Sequence, residues 1–267
     1  MNLKRILTGL IGFPVVALIL VYGNKYVIDL IFAIVAEISI YEYFHTISKK
    51  YKPVKYLGYS AALLIAVIHV IPAAILTKIA IMIVPISVVL LFLQVILTSM
   101  KTKPQDIFST LFGMCYVLGF IVFLPMLYGA PNGKILIWYL IFAAWGTDTF
   151  AYAVGRRFGK HKLTSVSPKK SIEGSIGGTI GSVVVALIFT YIIKNNINID
   201  LSYILVGITA CILSILSQIG DLAASSIKRE MDVKDYGNLL PGHGGMLDRI
   251  DSLIFIAPFA YFLFILL

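Results

Sequence analysis

Seven carboxylates in this chain stand where a carboxylate is hard to place. Glu37, Glu42, Asp148, Glu173, Asp221, Asp248 and Asp251 lie within or at the ends of long apolar runs. There an acidic side chain is strongly disfavoured unless it lines water, pairs with a cation or holds a metal. Beside them runs SSIKREMDVKDYGNLLPGHGGMLDRIDS, residues 225–252, which carries nine charged side chains and His243 in a chain only 13% charged. Carboxylates beside Lys and Arg have three ordinary meanings in such a setting. They form a structural ion-pair network, they line the ion or proton pathway of a transporter, or they hold a divalent cation on a polyphosphate. In the last case Asp oxygens bind the metal and basic groups bind the phosphates. Mg²⁺ suits this set better than zinc, because cysteine is absent from these loops and His161 and His243 are isolated. His243 in the GHGG turn reads as a general base, a phosphate donor or a loop hydrogen-bonder. Gly244 and Gly245 leave room there for a ligand. The chain has no Gly-x-x-x-x-Gly-Lys-Ser/Thr loop, which excludes a P-loop nucleotide site.

The elements that carry these residues are apolar helices. Of 267 residues, 59% are hydrophobic and mean hydropathy is +0.94, more apolar surface than a soluble protein of this length can hide. The runs are continuous rather than alternating, which argues against a barrel. Nine spans are expected, at 5–22, 26–47, 56–76, 79–98, 107–127, 135–155, 175–194, 201–226 and 250–267, each matched to a hydrocarbon layer of roughly 30 Å. The fold class is therefore all-α, a polytopic transmembrane helical bundle. Lys4 and Arg5 precede an apolar stretch, but no small-x-small cleavage site follows, so the first run reads as a retained helix. Only Thr77 and Lys78 separate spans three and four. The chain reads as a single membrane domain over 1–267, with a less specific half (1–130) and a motif-bearing half (131–267). Its two long polar connections are 156–174 and 227–249.

Orientation follows from the basic residues. The amino terminus and the connections at 48–55, 99–106, 156–174 and 227–249 hold 18 of the 22 Lys and Arg, and the alternate connections hold Lys25, Lys78, Lys134 and Lys194. An N-terminus in the cytoplasm is expected, which puts the seven carboxylates, from five spans, near the cytoplasmic face. The +9 net charge would then face anionic headgroups or an anionic soluble substrate. Pro14, Pro72, Pro85 and Pro125 are read as bends inside spans. Gly174, Gly177, Gly178 and Gly181 are read as a close-packing seam, or, at Gly174, as an approach for phosphate. Cys115 and Cys211 are assigned no role, and His69 is read as a satisfied interior polar group.

Ser225, Ile227, Lys228 and Arg229, then Lys234, Asp235 and Gly237, then Leu240, Pro241, His243, Gly244, Gly245, Asp248, Arg249, Ile250 and Asp251 resemble, in order and spacing, the signature of phosphatidate cytidylyltransferases. These are the CDP-diacylglycerol synthases of phospholipid synthesis. A second block is similar to the same family: Asp148, Thr149, Ala151 and Tyr152, followed by Ser167, Pro168, Lys169, Lys170, Ser171, Glu173 and Gly174. The two blocks cover most of the carboxyl-terminal half, while the other half matches mainly in hydropathy. One departure stands out. Many relatives carry Glu in the run where this chain reads Gly220-Asp221-Leu222-Ala223-Ala224-Ser225, so Ala224 removes a candidate carboxylate.

The resemblance implies transfer of CMP from CTP to phosphatidic acid, giving CDP-diacylglycerol and pyrophosphate. It implies Mg²⁺ with K⁺ nearby, a bacterial-type inner membrane with the site facing the cytoplasm, membrane lipid as partner, and a homodimer; nucleic acid is not an expected partner. On this reading Asp221 and Asp248 are the leading metal ligands, and Asp148, Glu173 and Asp251 are further ligands or orienting groups. Lys169, Lys170, Lys228 and Arg229 bind phosphates with help from Ser167, and His243, Lys234 and Arg249 support the nucleotide or pyrophosphate. The rival readings are a CTP-dependent lipid-alcohol kinase and, in another class, an ion-coupled secondary transporter with carboxylates at mid-bilayer and repeat symmetry.

Overall fold

A computed structural model describes residues 3–99, 101–197, 201–240, 242 and 244–265. Among these, nine helical segments follow one another. They are α1 (Leu3–Tyr22), α2 (Lys25–Ile47), α3 (Lys55–Leu63, tightening to a 3₁₀ turn over Leu64–Val67) and α4 (Ala73–Leu97), then α5 (Pro104–Gly129), α6 (Gly133–Phe158), α7 (Ile172–Ile197), α8 (Tyr203–Glu230) and α9 (Leu247–Ile265). Helices α5 and α6 each contain a π-helical turn, at Met114–Leu118 and Phe142–Gly146. The described residues form no sheet, only isolated bridges at Lys162–Ser171 and Leu240–Gly244. Helices α4 to α8 are each long and apolar enough to cross a membrane. The chain is an all-α integral membrane protein.

One boundary differs from expectation. The break between the third and fourth runs falls at residues 68–72, not at Thr77–Lys78, which lie inside α4. Pro72 caps α4 in an extended conformation (ψ 138°), so this proline starts a helix instead of bending one. The Lys78 ammonium can snorkel from a helix near its end, so the polar pair was no loop signal. The third segment, Lys55–Val67, is correspondingly short, roughly 20 Å at 1.5 Å per residue.

The chain divides into two compact units, one of residues 1–129 with 230–249, the other of residues 130–229 with 250–267. In the first unit, buried acids act as fasteners. Asp106 accepts from the backbone amides of Lys103 (2.8 Å) and Lys52 (2.7 Å), tying the start of α5 to the segment before α3. Val54 N then donates to Thr110 Oγ1 at 2.8 Å. Asp29, fully buried in α2, accepts from His69 N (3.0 Å) and pairs with His69 Nδ1 (2.6 Å). His69 is thus satisfied as expected, by a partner that no spacing rule would have named. Cys115, a free thiol, lines an apolar cavity of about 190 Å³ among α3, α4 and α5.

In the second unit α6 and α7 pack along the glycine seam. A Cβ on Gly174 would lie 2.8 Å from the Ala151 carbonyl, and one on Gly178 would lie 2.8 Å from that of Thr147. Phe150 and Val154 occupy the hollows over Gly181 and Gly177. The seam is a packing device, and Gly174 also lines a polar cavity of the same unit. Gly178→Leu is expected to push the two helices apart and to remove most of the monodisperse protein from a detergent extract, read by size-exclusion chromatography. A polar chain crosses the same unit: Thr147 Oγ1 meets Ser214 Oγ at 2.6 Å, Ser214 donates to Thr179 Oγ1 at 3.3 Å, and Gln218 Nε2 donates to Thr179 at 3.1 Å. Such bonds fix rotation between helices where apolar packing alone discriminates little. They hold α6, α7 and α8 in register just before Asp148 and Asp221.

Candidate functional site

Helix α6 presents Asp148, Tyr152 and Arg156 at i, i+4 spacing, so one face carries all three. The 159–171 loop folds back across this face. Leu163 N donates to Lys170 O (2.9 Å), Lys170 N to Ser167 O (3.0 Å) and Ile172 N to His161 O (3.0 Å), which closes a tight return. Between them lies a cavity of about 440 Å³ lined by Asp148, Tyr152, Arg156, Ser167, Lys169 and Lys170, with Gln218 from α8 at its wall. Three cations and the hydroxyls of Tyr152 and Ser167 around a cleft of this size suit an anion bearing several oxygens.

The Lys170 ammonium is paired with Asp221 Oδ2, both side chains partly accessible. Asp221 lies one turn beyond Gln218 on α8, whose bonds to Ser175 O (3.3 Å) and Thr179 fix it. Asp251, buried in α9, has Oδ2 3.8 Å from the Lys228 ammonium, which is itself buried. Asp148 and Asp221 lie close enough to Asp251 to act on its charge. The second unit therefore brings together Asp148, Asp221, Asp251, Lys170 and Lys228, with Ser167 and Lys169 on the adjoining cavity. Arg229 is exposed at the end of α8. Ala224 is fully buried, so a carboxylate at this position would need a buried partner.

Other expected carboxylates have partners of their own. Both oxygens of Glu173 are engaged by the preceding turn, Oε1 with His161 Nδ1 (2.6 Å) and Oε2 with the amides of Lys160 (3.1 Å) and His161 (3.3 Å). Asp248 belongs to the first unit and is buried. Its Oδ2 accepts from Tyr236 N (2.7 Å) and Gly245 N (3.0 Å), so it clasps the 236–245 loop. Gly244, at φ +82°, is a position for glycine alone, and a Cβ there would also approach Asp248 Oδ2 at 3.1 Å. Lys234 and Arg249 are exposed, and Arg249 makes no ion pair with Asp248 or Asp251 among the described residues. His243 and Pro241 lie outside the described residues.

Sequence reasoning missed Arg156, Tyr152 and Gln218 as cavity residues. The four-residue spacing from Asp148 was the available signal for the first two, whereas Gln218 showed none. It also missed what Glu42 does. This carboxylate, buried in α2, accepts from Met246 N (3.0 Å) and Leu247 N (2.8 Å), capping the first turn of α9 from another helix. Cβ atoms on Gly237 and Gly245 would overlap the Glu42 carboxylate. In the same unit Thr46 Oγ1 donates to Tyr236 O at 3.3 Å.

The sequence profile of the cytidylyltransferase family matches residues 3–267. A Bacillus subtilis protein named phosphatidate cytidylyltransferase is 45% identical over 132 residues, 49% of this chain and 48% of that protein. One of the same name from Staphylococcus aureus is 42% identical over 165 residues, 61% of each. Another from Thermotoga maritima is 35% identical over 191 residues, 67% of this chain and 68% of its own length. The matched regions thus span about half to two thirds of these curated relatives. With the profile covering the chain from its first helix to its last residue, the protein belongs to the cytidylyltransferase family.

Proposed function

We propose that this protein transfers CMP from CTP to phosphatidic acid, releasing pyrophosphate and leaving CDP-diacylglycerol in the membrane. The observation that carries the reading is the cavity in which Arg156, Lys169, Lys170 and Ser167 face Asp148, with Asp221 and Asp251 beside it. The relatives' shared name supports this chemistry over a lipid-alcohol kinase or a transporter. The lipid phosphate is already a nucleophile near neutral pH. A P–O bond forms from its oxygen to the α-phosphorus as the bond to the pyrophosphate oxygen breaks, and no side-chain nucleophile is needed. Both reactants are anionic, and like charges repel strongly in a cleft of low dielectric. Lys169, Lys170 and Arg156 offset that repulsion and align the phosphates, and Lys228 balances Asp251.

The described residues contain no group of three or more His, Cys, Asp and Glu spaced as a complete metal cage. Mg²⁺ does not require one, since it binds through one or two carboxylates with phosphate oxygens and water completing the shell. Asp221 and Asp251, hard oxygen donors close enough to sense each other's charge, fit that chemistry, with Asp148 as the nearest orienting group. Mg²⁺ bound there would neutralise phosphate oxygens, and a K⁺ would share the same acidic neighbourhood. Asp248 and Glu173 serve the site by holding loops. We place the site on the cytoplasmic side, where the basic connections supply both topology and substrate attraction.

The test is an assay of the detergent-purified chain with Mg²⁺, phosphatidic acid and CTP labelled at the α-phosphate. Label is expected in the lipid phase. Label retained in water-soluble CDP would identify a kinase and overturn the proposal.

A further inference from the structure

The side-chain amide of Gln218 has one atom that the fold does not use. The residue is 7% exposed and stands at the wall of the second unit's polar cavity. Its nitrogen donates to Ser175 O at 3.3 Å and to Thr179 Oγ1 at 3.1 Å, so both amide hydrogens are spent. The two ends of a side-chain amide are told apart by what they touch. A peptide carbonyl only accepts, so the atom facing Ser175 is the nitrogen and the oxygen points elsewhere. The neighbouring hydroxyls run in a fixed direction too. Thr179 Oγ1 donates to Ser175 O at 3.2 Å and Ser214 Oγ donates to Thr179, which leaves Thr147 Oγ1 as the donor to Ser214. None of these hydrogens is left for Gln218 Oε1, which has no partner among the described residues. Nor is this oxygen sealed in the core, so the space it meets is the cavity.

An unpaired amide oxygen selects a donor. Phosphate oxygens carry lone pairs and would be repelled by it, so Gln218 and the cations of this cavity address different groups. Asp221 follows Gln218 by one turn on α8, and Lys170, which lines the cavity, is paired with Asp221. Oε1 therefore borders the polar space that Asp221 serves. Mg²⁺ held by carboxylates keeps several of its waters. A water on a cation turns its hydrogens outward and becomes a strong donor, and acceptors for such donors tune how well a metal site holds its ion. We propose that Gln218 Oε1 accepts from a water carried by a divalent cation at Asp221. Gln218 is then a positioning residue, which steadies one side of the ion's water shell while the lysines hold phosphate. The proposal rests on the reading that a divalent cation binds at Asp221 and Asp251, and it extends that site by a neutral residue that bears no charge to reveal it.

The experiment is a titration of the detergent-purified full chain with Mn²⁺, followed by the electron paramagnetic resonance of the free ion, without nucleotide or lipid. Gln218→Met should weaken Mn²⁺ binding about tenfold or more, the usual cost of removing a group that orients a metal's shell. Gln218→Glu keeps an acceptor oxygen at this place and should bind Mn²⁺ at least as tightly as wild type. A role confined to holding Ser175 and Thr179 predicts equal weakening instead, since Glu and Met both lose the two donated bonds. Thr179 still donates to Ser175 O and Ser214 to Thr179, so both variants should keep the wild-type size-exclusion profile. Equal affinities in all three proteins, or equal loss in both variants, would overturn the proposal. So would a Gln218→Met protein with unchanged Mn²⁺ affinity that loses binding of CTP but not of dCTP, which would give the oxygen a ribose hydroxyl as its donor. If Gln218→Met does not accumulate, Gln218→Asn, which withdraws the oxygen by one methylene, decides the question by the same loss. A wild-type protein that binds Mn²⁺ in this way yet transfers no CMP would remove the proposed reaction and leave the positioning role standing. One that binds no Mn²⁺ would overturn the cation site and the role of Gln218 together.

Discussion

Asp221→Asn is expected to lower the rate of CMP transfer at least about a thousandfold, a loss typical of groups that hold charge at a reacting phosphate. Asparagine keeps the shape but removes the charge that orients Lys170 and that would share a cation with Asp251. Both side chains of the Asp221–Lys170 pair are 27% accessible, so the freed ammonium can turn to water and the fold should survive. The measurement is kcat/KM with α-labelled CTP, alongside the size-exclusion profile of the variant. A well-folded variant within about tenfold of wild type would exclude Asp221 from the chemistry. Lys170→Ala should lose less than Asp221→Asn, since Lys169 and Arg156 line the same cavity and share its work.

Glu42→Ala should act through the fold. It strips two backbone donors at the head of α9 of a charged acceptor in a setting only 4% exposed. Hydrogen bonds to a charged partner contribute about 1.5–3 kcal/mol each, so a combined loss of about 2–4 kcal/mol is expected after relaxation. In a chain of this size that is a fall of about 5–15 °C in Tm, measured on the purified protein by intrinsic fluorescence. Glu42→Gln retains one acceptor oxygen and should lose roughly half as much. Because Glu42 also fills the space over Gly237 and Gly245, the alanine variant should loosen the loop and reduce transfer along with stability. An unchanged Tm would remove Glu42 from its capping role.

The positions of the helices were legible because apolar length is a direct readout of membrane thickness. Lys78 misplaced one boundary, since a lone lysine near a helix end looks like a loop until its aliphatic stem is considered. Among the carboxylates, the sequence showed which were out of place but not what each one faced. Asp221 and Asp251 stand beside lysines, with Asp148 near enough to act on Asp251. Asp248, Glu173 and Glu42 are equally conspicuous in sequence, yet each accepts from backbone amides, and Glu173 also engages the His161 ring. An ammonium partner and an amide partner select the same residue type, and only the folded chain separates them. Asp29 and Asp106 passed unnoticed for a related reason, as their partners lie 40 and 54 residues away.

The π-helical turn at Phe142–Gly146 carries a consequence for the chemistry downstream. It holds one residue more than an α-helical turn would, and each residue advances the helix by about 100°. A chain shortened by a single residue in this turn would revert to regular winding there. Asp148, Tyr152 and Arg156 would then keep the face they now present to the cleft, because the wide turn absorbs the removed residue. Loss of Thr147 from the regular winding would instead swing all three through about 100°.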